Sequence, residues 1–479
     1  MAIPVATETE GSMPALPAAD PKSKRAAKVA DRIIEDVIAL GWPVGQILGS
    51  ETELLDRYQV SRAVFREAVR IVEHQQVART RRGPGGGLVI SEPTVDAVID
   101  AVVLYLYRVE ARLDELFEAR IVLEDIASEL APARLDEQDL DRLRSFVDDA
   151  ESQGRPDPRA LHALVASISR NPAIELFVEV LNRVATLYSS GWQNFGSAIH
   201  TETVHAHARI AEAVMSGDSG TARHRMRRHL EAEADYLRNR RSTRQLMPGS
   251  VVALGQPGNG KRAEAVARRI TQSIVTDGLR PGQLVGTEPQ LIEREGVSRA
   301  VLREAVRLLE HHQIARMRRG PGGGLFVFEP SAAAVTDVTA IYLARHGMRL
   351  ADLAEVRTGV EVEIAGLAAA RIDADGVARM TDALESEAKA PAEAAVVHGL
   401  HAAAAAAGGN RVLELMALVF IRLSRLYQIE RLAPKARKEI SAEVLRTHEG
   451  IAAAIESGDR ELARHRMRRH LDALGSLMR

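Results

Sequence analysis

The sequence predicts a mainly α-helical protein with two winged helix-turn-helix domains, each carrying a small β wing and each followed by an all-α helical bundle. Residues 61–88 recur 237 positions later as residues 298–325, and 22 of the 28 positions are identical. A repeat of this length indicates two copies of one structural unit. Both copies join an arginine-rich helical pattern to the glycine-rich segment RRGPGGG. Aromatic residues make up only 4% of the 479 positions, so the cores are mainly aliphatic, which favours helices.

Bulk composition narrows the possible classes of protein. The chain has no cysteine, which excludes disulfides, thiolate metal sites and cysteine nucleophiles. No apolar run is long enough to span a bilayer, and the N-terminal residues lack the basic-then-apolar pattern of a secretory signal. We therefore expect a cytoplasmic protein with no membrane partner.

The repeat and two low-complexity segments set the expected domain boundaries. The first residues are rich in Pro, Ala and Thr and are expected to be disordered. A later stretch with two Pro and four Gly but no clear period is typical of a linker. The expected segments are a disordered tail (1–22), a first winged helix-turn-helix domain (23–92), a first helical domain (93–240), a linker (241–262), a second winged helix-turn-helix domain (263–329) and a second helical domain (330–479).

Within the first winged domain, called head 1 below, the order of elements follows from local signals. Apolar residues at helical spacing predict a helix over 25–40. Ser50 and Glu53 form a capping box that begins a second helix, and Ser61 caps a third, expected to end near His74. Two helices joined by so short a turn form a helix-turn-helix. The wing is expected from two short strands, residues 77–80 and 88–90.

Positive charge is concentrated in the two repeated segments. The chain as a whole carries a net charge of −2, but residues 61–88 hold six arginines against two glutamates, a local charge of +4, and residues 298–325 hold the same. Localised positive charge is what contact with phosphates requires. The expected partner of both segments is therefore double-stranded DNA.

Together these residues resemble the GntR family of bacterial transcription regulators, specifically the FadR-type subfamily with an FCD effector-binding domain. The resemblance rests on VSRAVFREAVRIVE followed by RRGPGGGLVI, and on VSRAVLREAVRLLE followed by RRGPGGGLFV. It extends through both helical segments. In that family the head-plus-bundle unit usually occurs once per chain and dimerises, whereas here it occurs twice.

The resemblance implies that the second helix of each motif enters the major groove at its N-terminal end. Arg62 and Arg66 are expected to read guanine edges because a guanidinium fork matches O6 and N7. In the wings, glycines allow the backbone to approach DNA, and arginines supply charge to the minor groove. The expected DNA-contacting residues are Ser61, Arg62, Ala63, Arg66, Arg81, Arg82, Gly83 and Gly85 in head 1, and Ser298, Arg299, Ala300, Arg303, Arg318, Arg319, Gly320 and Gly322 in head 2, the second winged domain.

Paired histidines in the bundles point to a metal or ligand site. His207 lies ten residues before Gly217 and His229 lies twelve after it. An antiparallel helix hairpin turning at this glycine brings the two imidazoles to nearly the same level. The second copy repeats the spacing around Gly458, and one more histidine comes from a separate helix in each copy. The expected triads are His162, His207 and His229, and His401, His448 and His470.

Three convergent imidazoles could hold Zn²⁺ or a similar divalent ion. The alternative is that they are hydrogen-bonded core histidines lining a ligand cavity. Members of the family that bind metal typically have an aspartate four residues before the first histidine, where this chain has Pro158 and Val397.

Arg120 and Arg357 are each followed four residues later by a glutamate. One interpretation is an ion pair on the helix surface, worth only a few tenths of a kcal/mol. The other, implied by the resemblance, places each arginine at an effector pocket, where it could hold the carboxylate of a small organic ligand.

These features predict a ligand-responsive, sequence-specific transcription regulator that acts as a repressor and is not an enzyme. Ligand binding would favour one spacing of the heads over another. The two copies could pair within one chain, as a pseudo-dimer, or between chains, giving a homodimer with four heads. The alternatives are a helical metalloenzyme using the histidine triads and a non-specific architectural DNA-binding protein.

Overall fold

The computed structural model describes residues 21–81, 83, 85–92, 94–153, 159–188, 197–239, 262–280, 282–311, 314–318, 320, 322–327, 332–389, 398–427 and 434–477. Helices dominate these residues and are accompanied by two small antiparallel sheets, which confirms the predicted fold class. The chain divides into two compact units, Met1–Glu92 and Pro93–Arg479. Across the described helices, none combines the length and the apolar character needed to cross a membrane.

Head 1 forms the first unit. Ser50 caps the second helix in a complete capping box with Glu53, as predicted. The short strand that starts the sheet was not predicted, because three residues are too few to show a period. It pairs with the third strand, which is central in the sheet order β1-β3-β2. The elements are α1 (Pro21–Ala39), β1 (Ile47–Gly49), α2 (Glu51–Tyr58), α3 (Arg62–His74), β2 (Ala78–Arg81) and β3 (Gly87–Ile90).

The first bundle contains α4 (Val95–Arg108), α5 (Leu113–Arg134), α6 (Glu137–Gln153), α7 (Ala160–Ile168), α8 (Pro172–Tyr188), α9 (Ser197–Met215) and α10 (Ser219–Asn239). Helix α5 is central, since α7, α8, α9 and α10 all pack against it. The turn between α9 and α10 contains Gly217 at φ 76°, a left-handed conformation that glycine adopts without steric cost. The predicted helix hairpin is therefore present.

Head 2 repeats the first head, with α11 (Arg262–Thr276), β4 (Leu284–Gly286), α12 (Glu288–Glu295), α13 (Arg299–His311), β5 (Ala315–Arg318) and β6 (Gly324–Val327). Its sheet order is β4-β6-β5, with antiparallel pairs throughout. Its core is aliphatic and centres on Ile270, Leu291, Leu302 and Leu325, all at most 1% exposed.

The second bundle contains α14 (Ala332–Arg345), α15 (Leu350–Arg371), α16 (Ala374–Lys389), α17 (Gly399–Ala407), α18 (Arg411–Leu426), α19 (Pro434–Glu456) and α20 (Arg460–Leu477). Helix α15 has the central position that α5 has in the first copy, and it packs against α17, α18, α19 and α20. Gly458, at φ 74°, forms the turn before the last helix.

The two bundles pack against each other within the chain, with α5 against α15 and α4 against α14. Phe177 and Phe420 meet edge to face, with ring centroids 6.0 Å apart. The sequence alone left open whether the copies pair within or between chains, and in this structure they pair within one chain.

Polar contacts across this interface come in equivalent pairs. The Asn171 side-chain amide donates to the carbonyl of Asp352 at 2.8 Å, and the Asn410 amide donates to the carbonyl of Glu115 at 2.9 Å. Two ion pairs repeat the same relation, Arg134 with Glu355 and Arg371 with Glu118. Each contact recurs with the roles of the copies exchanged, which is the pattern of a twofold interface.

Candidate nucleic-acid interface and histidine centres

The third helix of head 1 presents an arginine-rich face. Phe65, Ala68 and Val72 are buried in the head, and the opposite face of α3 is exposed. The Ser61 hydroxyl accepts a hydrogen bond from the Val64 amide at 3.4 Å and caps the helix, as predicted. The positive end of the helix therefore lies at the surface beside the arginines, which suits contact with phosphates and guanine edges. The predicted DNA-contacting residues of this helix, Ser61, Arg62, Ala63 and Arg66, are all exposed.

The third helix of head 2 has the same exposed face. Ser298, Arg299, Ala300 and Arg303 are all exposed. The three positions at which α13 differs from α3 are apolar in both copies and lie on the buried or half-buried side: Phe65 and Leu302, Ile71 and Leu308, Val72 and Leu309. The exposed faces of α3 and α13 therefore carry the same residues.

The arginines of the two helices differ in their present partners. Arg299 forms two hydrogen bonds with the Glu288 carboxylate, at 2.7 and 3.1 Å, and Arg303 lies 3.8 Å from it. The hydrogen bond from Arg299 lowers the pKa of Glu288. In head 1, Arg62 and Arg66 form no ion pair with any residue that the structure describes. Contact of head 2 with DNA therefore requires Arg299 to exchange a carboxylate for a base or phosphate.

The remaining predicted residues that the structure describes lie in the β-hairpins of the wings. Gly83 and Gly85 have φ of 102° and 70°, and Gly320 and Gly322 have 97° and 72°, so a side chain at any of these positions would be strained. The exposed Arg81 donates to the Gly85 carbonyl at 2.8 Å. Arg318 lies over the Phe326 ring, 4.2 Å from its centroid. Arg82 and Arg319 lie outside the described residues.

In the first bundle the structure brings the predicted histidine triad together. His162 comes from α7, His207 from α9 and His229 from α10. The Nε2 atoms of His207 and His229 are 3.0 Å apart, and the ring centroid of His162 lies 5.1 and 5.2 Å from theirs. One potential ligand atom from each residue lies within 4.8 Å of the others.

In the second bundle His401, His448 and His470 form an equivalent cluster. The Nε2 atom of His470 lies 3.1 Å from that of His448 and 3.3 Å from that of His401. All three side chains are buried. The hairpin geometry that predicted both clusters is therefore realised in both copies.

A carboxylate orients the first histidine of each triad. The Nδ1 atom of His162 contacts the Glu124 carboxylate, and that of His401 contacts Glu361. A proton donated from Nδ1 leaves the Nε2 lone pair directed at the other imidazoles, which is the arrangement that metal-binding histidines have. The donor set of three imidazole nitrogens, one of them oriented by a carboxylate, fits Zn²⁺ or a similar divalent ion.

Arg120 and Arg357 are buried, not at the helix surface. Arg120 is 2% exposed and Arg357 is 4% exposed, so the alternative of a surface ion pair is wrong. The Nε of Arg120 donates to Glu124 at 3.0 Å, and its two amino groups donate to Glu233 and Asn182, both at 3.2 Å. Arg120 thus connects the wall of the bundle to the histidine centre through Glu124.

A cavity of about 410 Å³ opens beside the first histidine centre. All three histidines of that triad line it, together with five arginines and only two glutamates. Such a cavity has the size of a small-ligand site and an excess of positive charge, which favours an anionic ligand. The arginines are Arg120, Arg159, Arg209, Arg225 and Arg228.

Burial keeps several of these histidines neutral. Burial and the neighbouring His162 and Arg120 lower the pKa of His229 to about 3. Burial with His401 and His448 lowers the pKa of His470 to about 2. Although burial acts in the opposite direction, His162 and Arg120 lower the pKa of Glu124 to about 2. His229 and His470 are therefore neutral and Glu124 is ionised, which are the protonation states that metal binding needs.

The stability of the metal-free protein should fall as pH decreases from 7 to 5. In the unfolded chain a histidine takes up a proton below pH about 6.5, whereas His229 and His470 stay neutral in the folded chain over this range, so acid favours unfolding. At pH 5 the loss is about 2 kcal/mol for each such histidine. Thermal unfolding as a function of pH measures it.

Two variants test whether His229 and His470 cause this dependence of stability on pH. His229→Asn with His470→Asn should reduce the slope of the profile between pH 7 and 5 without abolishing it, because burial also lowers the pKa of His207, His398 and His401. Substitution of the exposed His465 by Asn should leave the slope unchanged. A wild-type profile without slope over this range would contradict the assignment of neutral, buried imidazoles.

Sequence reasoning missed the residues that surround the triads. Glu387 accepts from His448 Nδ1 at 2.7 Å and from the Leu400 amide at 3.0 Å. His398 is buried beside Arg357, whose amino group lies 3.5 Å from its Nδ1. The sequence did offer a signal for the contact of His398 with Arg357, because this histidine lies three residues before His401. No periodicity predicts the contact of Glu387 with His448.

Two family models match the chain, each of them twice. The model described as bacterial regulatory proteins, gntR family, matches residues 25–87 and 262–327. The FCD domain model matches residues 115–232 and 352–473. These ranges contain both third helices and all six histidines of the triads.

Individual relatives align with a little under half of this chain. The Exu regulon transcriptional regulator of Escherichia coli (strain K12) is 27% identical over 225 residues, 45% of this chain and 84% of that protein. The uncharacterized HTH-type transcriptional regulator YcbG of Bacillus subtilis (strain 168) is 27% identical over 44% of this chain and 89% of that protein. A solved structure, Streptococcus agalactiae GntR, is 24% identical, with a TM-score of 0.32, over 44% of this chain and 99% of that one.

Proposed function

The chain belongs to the GntR family of bacterial transcription regulators with FCD domains, and on this premise we propose that it is a ligand-responsive repressor whose two heads read one operator. The observation that carries the proposal is the chemical identity of the exposed faces of α3 and α13. Two identical reading surfaces on one chain suit two copies of the same half-site. Phosphate contacts by the wings would fix the position of each head, and Arg62, Arg66, Arg299 and Arg303 would read bases.

The paired bundles support a single chain acting as a pseudo-dimer. Regulators of this kind use twofold symmetry to match an operator with two half-sites. Here the contacts between α5 and α15 supply a twofold-like interface within the chain. A homodimer of such chains, with four heads, is the alternative, and the number of chains per operator distinguishes the two.

The effector proposed for the cavity is a small organic carboxylate. Arg209 and Arg228 line the cavity and form no ion pair within the described part of the chain, so they can hold an anion. A divalent ion held by His162, His207 and His229 would add positive charge at the inner wall of the cavity. The buried Arg120 also lines the cavity, where it would hold the ligand carboxylate, and it orients the site through Glu124 and Glu233.

Ligand binding changes DNA affinity only to the extent that one arrangement of the bundles binds the ligand better than another. Helix α10 carries His229, lines the cavity and packs along α5, which contacts α15. A ligand that draws α10 toward α7 and α9 would therefore bias the interface between the bundles.

The metalloenzyme and architectural alternatives are not retained. The matching family models and the relatives named above are transcription regulators. A net charge of −2 also differs from the strongly basic composition that bulk DNA binding favours.

Selection from fragmented genomic DNA tests the proposal. The purified chain, with competitor DNA at moderate salt, should enrich one or a few fragments, and addition of a carboxylate from a panel should release them. Enrichment of no fragment over scrambled duplex would contradict the regulator function. Release by none of the carboxylates would contradict the proposed effector class but not DNA binding.

A further inference from the structure

We infer that the two histidine centres have diverged, so that the first is an open site where a small anion reaches the metal and the second is a closed, structural site. This inference rests on the metal binding proposed above. It is carried by differences in burial and in the residues around two otherwise equivalent triads. The consequence is one ligand, but two metal ions, per chain.

The first centre is open to a cavity, and the second triad is fully buried. His229 is only partly buried, and it lines the cavity together with His162 and His207. Its counterpart His470 is 4% exposed, and His401 and His448 are 2% and 0% exposed. An anion in the first cavity can therefore approach the Nε2 atoms without displacing protein.

Several positions that line the first cavity change character in the second copy, and three of them are buried there. Arg159, three residues before the first histidine of the triad, corresponds to His398. Asn182, eleven residues after Asn171, corresponds to Ile421, eleven after Asn410. Glu233, four residues after the last histidine, corresponds to Leu474. Ile421 is 5% exposed and Leu474 is 8% exposed, so apolar side chains fill the second bundle at these positions.

His398 occupies the side of the second centre at which a ligand would enter. It is 3% exposed, whereas Arg159 in the equivalent position is exposed. Its ring centroid lies 6.0 Å from that of His401, and its Nδ1 faces an amino group of Arg357 at 3.5 Å. In the second copy, the His398 imidazole therefore contacts Arg357 at the place where a ligand would otherwise bind.

An unsatisfied oxygen marks the first cavity as a ligand site. Glu233 Oε1 is buried and has no hydrogen-bond partner among the described residues, although Oε2 of the same carboxylate binds Arg120. A buried acceptor left without a donor is costly, and a ligand that carries a hydroxyl or amide would satisfy it. Leu474, at the equivalent position of the second copy, has no side-chain atom that needs a hydrogen-bond partner.

In the second centre, carboxylates contact the Nδ1 atoms of two histidines, one more than in the first centre. His448 donates its Nδ1 proton to Glu387, which accepts a further hydrogen bond from the Leu400 amide. The equivalent position in the first copy is Ala150. With carboxylates behind both His401 and His448, the second triad is oriented as a structural metal site requires.

Cobalt(II) loading of the full chain, followed by titration with azide, tests the inference. Azide is a small anion whose binding to the metal changes the visible cobalt spectrum. In wild type we expect two cobalt ions per chain and a spectral response from only one of them. The variant His470→Ala keeps only the first centre intact and should respond to azide. The variant His229→Ala keeps only the second centre intact and should not respond.

A matched exchange of cavity residues avoids removal of any metal ligand. Asn182→Ile with Glu233→Leu should weaken the azide response of the first centre at least about tenfold, because the lining becomes that of the closed site. Equal responses of both centres, or a response of the second centre alone, would overturn the inference while leaving metal binding intact. Failure of the chain to take up cobalt would overturn the metal proposal itself, and the inference with it.

Discussion

Replacement of both Arg62 and Arg299 by alanine is expected to weaken operator binding at least about 30-fold, since each guanidinium–guanine contact contributes about 1–3 kcal/mol of discrimination. Both side chains are exposed at the N-terminal ends of α3 and α13, so their loss leaves no cavity and no buried charge. Fluorescence anisotropy with the selected operator fragment measures the change, and circular dichroism shows whether the fold is kept.

A control pair separates base reading from loss of charge. Arg142 and Arg379 are equivalent positions of the repeat on α6 and α16, both exposed and both outside the heads. Their double substitution by alanine removes the same two charges and should change operator affinity by less than about threefold. Retention of full affinity by the Arg62 and Arg299 variant would show that these helices do not read the DNA.

The second large effect is expected on stability. Arg120→Met should destabilise the first bundle by about 3–5 kcal/mol, because it removes the guanidinium that pairs with two buried carboxylates. The side chains of Glu124 and Glu233 are 2% and 8% exposed, and both bind this guanidinium. Urea unfolding followed by circular dichroism measures the change in the transition of the bundle.

An exposed arginine of the same bundle provides the comparison. Arg238 is 48% exposed and pairs with Asp114 and Asp235 at the surface. Arg238→Met should therefore cost less than about 1 kcal/mol. Simultaneous replacement of Arg120, Glu124 and Glu233 by Met, Leu and Leu should recover most of the lost stability, since no buried charge is then left unpaired. If Arg120→Met costs no more than Arg238→Met, the buried network does not stabilise the bundle.

The heads could be predicted almost completely from sequence because their signals are local. The Ser50 capping box, the Ser61 cap and the glycine-rich wing each depend on residues within a few positions of one another. The convergence of His207 with His229 was equally accessible, since a helix hairpin with one glycine turn fixes the level of both residues.

The surroundings of the triads could not be predicted, because they depend on contacts between distant helices. Glu387 reaches His448 from 61 positions away, and Arg120 reaches Glu233 from 113 positions away. The burial of Arg120 was hidden as well, since an Arg–Glu pair at i, i+4 has the same sequence on a surface as in a core.

The mode of pairing was open for a different reason. A twofold interface uses the same patch on both partners, so the residues that form it are the same within one chain and between two chains. The folded structure is needed to show that Asn171 contacts Asp352, and Asn410 contacts Glu115, within the same chain.

The number of chains that protect one operator tests most directly whether a single chain places two heads on one DNA site. Native mass spectrometry of the complex, with a hydroxyl-radical footprint, should show one chain per operator and two protected half-sites centred one helical turn, about 10.5 base pairs, or a whole number of such turns apart. The single variant Arg299→Ala should erase protection of one half-site only. Two chains per operator, or protection of one half-site by the wild-type chain, would contradict it.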